Sequence, residues 1–213
     1  MIRSHLCNAG CLQPAGALAP LSLKGDLLAA IDIAGFVTDL KDHGVDHGFH
    51  IHDERHFIET YSLSQSWEIV MHPEEACGGY LDLHAALEID PRILLAFEDH
   101  LIERSELVEE PDDEFQLNLF FNWGLPPLRQ PPDLLVLSTE LAGVGGLDLP
   151  LEISAIDSFA AVTDAPERRL GIVGSVQVSL ANLSMGREQL CRELDLAHKV
   201  SLYLAERATA WIE

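Results

Sequence analysis

The sequence predicts an α+β protein: a mainly antiparallel sheet of six or seven strands, with helices from the two ends of the chain laid on one face. Three observations carry this expectation. Residues Tyr80–Ile89 alternate apolar and polar over ten positions, the period of a half-buried strand. Residues Phe115–Trp123 repeat that alternation with aromatics on the apolar side. The 26 residues Arg187–Ile212 instead place Leu190, Leu194, Ala197, Ser201, Leu204, Ala208 and Trp211 alternately four and three apart, which is one stripe of a helix.

The remaining elements follow in chain order. Residues 1–20 read as a flexible tail and residues 21–213 as one domain, which 213 residues with 47% apolar content can supply with a core. Leu21–Lys41 carries Leu27, Ile31 and Ala34 at helical spacing and runs into Asp42-His43-Gly44, where a glycine can end a helix. His56–Leu63 and Trp67–His72 alternate as two strands of a hairpin through Ser64-Gln65-Ser66. Asp90-Pro91 is an N-cap followed by a proline suited to a first turn, so Pro91 to about Ser105 is expected as a helix. Glu109–Glu114 is expected as an acidic loop, and Gly124–Asp133, with four prolines, as an irregular connection. Leu134–Leu141, Leu147–Ile156 and Leu170–Leu183 are expected as further strands, with Pro150 pushing the second toward a sheet edge or a bulge. The C-terminal stripe has the spacing of a dimer seam, so a homodimer is conceivable, but its small residues suit packing on the chain's own sheet better.

Charge bounds the function. Thirty-five acidic residues against ten Arg and three Lys give a net charge of −22. Such a surface repels phosphate, which argues against nucleic acid and anionic membranes and favours cations or a protein partner with a basic surface. No apolar run reaches the length of a bilayer span or forms the core of a signal peptide, so a cytoplasmic location is expected. Four cysteines, Cys7, Cys11, Cys77 and Cys191, are too few and too scattered for a disulfide scaffold. His5, Cys7 and Cys11 resemble the start of a zinc site but have no second ligand pair at finger spacing.

Chemistry, if present, concentrates in Asp42–His56, where five of the ten histidines fall within fourteen positions. Were the second half extended, His50, His52, Glu54 and His56 would share one side. With Glu59 they are a candidate ligand set for a divalent ion of zinc, iron or manganese. A solvated loop with histidines in water is the simpler alternative. A second cluster, Asp82, His84 and Glu88, lies on the polar side of its strand, where Glu68 and His72 could be neighbours. Phosphate-loop, dinucleotide-binding and serine-hydrolase motifs are absent. Two functions therefore stand: a non-enzymatic protein that binds a basic or aggregation-prone partner as a chaperone, adaptor or inhibitor does, and a metal-binding protein or metal enzyme built on the histidine cluster.

Overall fold

In the computed structural model the described residues are 31–104, 114–159, 167–187 and 190–212. The expected tail, the first ten residues of the expected N-terminal helix, most of the Glu109–Glu114 segment, and His5, Cys7 and Cys11 lie outside them.

The described residues form six strands: β1 (Phe49–Ile58), β2 (Gln65–Pro73), β3 (Asp82–Ile89), β4 (Gln116–Gly124), β5 (Leu151–Ser158) and β6 (Glu167–Ser179). They form one antiparallel sheet in the order β1-β2-β3-β4-β6-β5. Among the described residues five α-helices accompany them: α1 (Ile33–Asp46), α2 (Pro91–Arg104), α3 (Leu134–Gly145), α4 (Leu180–Ser184) and α5 (Cys191–Ile212). Ile69, Met71, Leu83, Ala85, Leu87, Leu119, Phe121 and Trp123 line the inner face of the sheet and are buried. They meet Val37 and Leu40 of α1 and Leu194, Ala197, Val200 and Leu204 of α5, so the end helices cover one face. The α5 stripe is consumed by the chain's own sheet. Its Ser201 hydroxyl accepts the indole N–H of Trp123 at 2.8 Å and donates to the Ala197 carbonyl. No residue on the opposite, outer face of β2, β3 or β4 is buried.

Several expectations are corrected. Leu134–Leu141 is the start of a helix, because Asp133 caps the amides of Leu135 and Val136 and Gly146, at φ 66°, ends it. Its short apolar run fits either element, and a capped helix burying Leu137 and Leu141 wins. The Leu170–Leu183 run is strand only to Ser179, whose hydroxyl caps α4. Gly44 does not end α1. It is buried inside the helix, where a side chain would meet Ile51, and the chain instead turns at Gly48, φ 82°. The first strand starts seven residues earlier than expected, and the hairpin turn is Glu59–Ser64, closed by the Glu59 amide donating to the Ser64 carbonyl at 2.9 Å. Tyr61 and Leu63 consequently face solvent. The expected Leu147–Ile156 strand begins only after Pro150, as β5, which lies at the sheet edge.

Candidate metal centre

The histidine segment starts in α1 and turns at His47-Gly48, and its second half is an edge strand with an irregular register rather than a loop. Phe49, His50 and Ile51 pair with Pro73, His72 and Met71; the register then slips by one residue at His52, and Glu54 and His56 pair with Ile69 and Trp67. Paired residues in a ladder share a face, and one extra residue reverses the parity of all that follow. His50 therefore stands with His72 on the outer face. Glu54 and His56 are turned to the inner side, the side of Ile69 and Trp67.

Each displaced residue has found another partner. Glu54 forms an ion pair with Lys41 of α1. His56 stacks on Trp67, ring centroids 4.0 Å apart, and its Nε2 is 2.9 Å from Gln65 Oε1. Glu59 follows the end of β1, nine residues and roughly 30 Å from His50 at strand rise, and accepts from the Ser62 hydroxyl. His43 lies in α1, and His47 is tied to Asp195 of α5 at 2.7 Å. The expected ligand set of His50, His52, His56, Glu54 and Glu59 is thus divided: only His50 and His52 remain together.

What they meet is His72 and Cys77. The Nδ1 of His50 is 3.0 Å from Cys77 Sγ, and the Nε2 of His72 is 2.9 Å from the same sulfur. One donor atom from each of His50, His72 and Cys77 lies within 4.8 Å of the others. His52 stands beside this set, stacked on His72 with ring centroids 4.1 Å apart and the two Nε2 atoms at 3.2 Å. The second nitrogen of His50 faces Glu74 Oε1 at 3.5 Å. A carboxylate on that side favours the tautomer with its proton on Nε2 and the Nδ1 lone pair toward the sulfur, the arrangement that orients histidine ligands of metals.

The sulfur is delivered by a short stitched turn. After Pro73 a 3-10 turn, Glu74–Ala76, reverses the chain. The Glu74 amide donates to the Gly48 carbonyl at 3.0 Å, and Glu75 Oε2 lies 3.2 Å from His198 Nε2 of α5. His198 in turn sets its ring edge-on to Phe49 at the start of β1. The helix α5 thereby anchors both the turn carrying Cys77 and the strand carrying His50. Cys77 itself is exposed, as are His50 and His52.

Burial, reinforced by the neighbouring rings of His52 and His50, holds the pKa of His72 below the usual histidine value. A neutral imidazole is the form that ligates a metal. Two imidazoles and a thiolate suit zinc and other late, borderline-soft ions better than manganese, magnesium or calcium, which take oxygen. The set lacks the carboxylates expected from the sequence, and the sequence reading does not include His72 and Cys77 among its members or Glu74 beside it. The spacing His72-x-x-x-x-Cys77 across a Pro-led turn is the local signal that could have found them.

On the second cluster, Asp82, His84 and Glu88 do share the outer face, but His84 lies opposite Val70 and Glu88 opposite Ser66. His72 Nε2 is engaged with His52 and Cys77 instead. Comparison of the sequence with family models and curated proteins, and of the fold with solved structures, finds no match. Among the described residues no helix is long and apolar enough to cross a membrane.

Proposed function

We propose that this chain is a transition-metal-binding protein holding one divalent ion of the zinc class at His50, His72 and Cys77. The carrying observation is the convergence of two imidazole nitrogens and one thiol sulfur, from two paired strands and an anchored turn, on a single small volume. Hydrogen bonding alone does not need three soft donors in one place. A metal ion does, and the net charge of −22 raises the local concentration of cations. Elemental analysis of the tag-free protein tests the reading, beside the double variant His50→Ala, Cys77→Ser. Near-stoichiometric zinc that vanishes in the variant supports it; a folded wild-type protein that takes up no zinc, iron or cobalt overturns it.

The binding of a basic or aggregation-prone protein partner is a second proposal, supported by the same net charge of −22. Partner capture that weakens steeply as salt rises, and persists in the metal-site variant, separates it from the first.

A further inference from the structure

Resting on that reading, we infer that His52 is the fourth ligand, so that the ion is enclosed by three imidazoles and one thiolate with no coordination position open to water. The four donors form a string: His52 to His72 at 3.2 Å, His72 to Cys77 at 2.9 Å, Cys77 to His50 at 3.0 Å. On a tetrahedral zinc ion, two imidazole nitrogens lie about 3.4 Å apart and a nitrogen and a sulfur about 3.6 Å apart, from the usual bond lengths. The His52–His72 separation already matches. The two nitrogen–sulfur contacts open by about 0.6–0.7 Å as the string closes round the ion. His52 begins outside the three-donor set, yet it is exposed and lies where the β1 register slips, so its ring can turn inward without disturbing the core.

Glu74 does not compete for the position. It faces the Nε2 of His50, the nitrogen turned away from the sulfur, and so positions a ligand rather than serving as one. A closed set of four protein donors is the pattern of ions that are held, whereas hydrolytic zinc keeps a water in its fourth position. The centre is accordingly a binding or structural site and not a hydrolytic one.

Cobalt(II) titration of the tag-free full chain tests this, with optical spectra recorded for wild type, His52→Ala and Cys77→Ser, each with and without azide. Wild type is expected to show the strong visible bands of four-coordinate cobalt and a near-ultraviolet thiolate charge-transfer band, neither altered by azide. Cys77→Ser loses the charge-transfer band. His52→Ala keeps that band, binds at least about 10-fold more weakly, and changes its visible spectrum when azide enters the vacated position. A His52→Ala spectrum and affinity equal to wild type, or a wild-type spectrum shifted by azide, overturns the assignment of His52 while leaving the three-donor site standing. A folded wild type that binds no cobalt overturns both.

Discussion

His72 Nε2 and Cys77 Sγ lie 2.9 Å apart across a turn whose own amide is bonded to the far side of the site, at the Gly48 carbonyl. The pair is therefore held by the backbone of two elements, not by the flexibility of either side chain. That contact is the axis of the proposed centre, because His52 and His50 each touch one end of it.

Cys77→Ser should leave the fold intact, since Cys77 is exposed, yet weaken zinc binding by more than about 100-fold, beyond the loss of an orienting partner. Competition against a chromophoric zinc chelator, with circular dichroism as the control for folding, measures this. Equal affinity would remove the thiolate from the site.

Glu74→Gln should lower zinc affinity by about 10- to 100-fold without changing the stoichiometry, because it removes the charge that favours the proton on His50 Nε2. The same titration reports it. Unchanged affinity would show that the His50 tautomer needs no carboxylate.

His56→Ala should leave metal affinity unaltered, since the register slip turns His56 away from His50 and onto Trp67. A fall comparable to that of Cys77→Ser would mean the first strand can shift its register to bring His56 round.

The depressed pKa of His72 makes metal-free stability sensitive to acid. The unfolded chain takes up the proton at the ordinary histidine value, the folded chain only at lower pH. The associated stability is thus intact above the ordinary value and is lost as pH falls through the folded one. Urea midpoints measured in chelator from about pH 8 to pH 5 should decline on the acid side, and His72→Gln should flatten that decline.

Ser201→Ala should cost about 1–3 kcal/mol, since it strands the buried indole N–H of Trp123. The change is read as a lower urea midpoint with an unchanged slope. Gly44→Ala runs the other way, a gain of about 0.5–1 kcal/mol, because the position is helical and a new methyl would meet Ile51 only at an ordinary 3.4 Å. A loss at Gly44 would mean that α1 cannot yield even that much against β1.

Legibility in the sequence followed burial. The strands β3 and β4 and the helix α5 were plain because each buries one face against a continuous core, which writes a period of two or 3.6 directly into the residues. At the two-sided and exposed segments the pattern weakened. Leu134–Leu141 opens with four consecutive apolar residues, which blurs its period, and its helix is decided by the Asp133 cap and the Gly146 turn. In β1 the polar residues hide the strand, and the burial pattern has one buried residue in ten.

The amino-acid order by itself determined the class of fold, the two end helices and the crowding of histidines, since these depend on local periodicity and composition. Tertiary structure alone decided which histidines come together. One slipped residue at His52 reverses the facing of Glu54 and His56, and strand pairing brings in His72 from the next strand. The turn beyond it, anchored by Gly48 and His198, supplies Cys77. Ligand geometry is a relation between strands, and a relation between strands exists only after they pair.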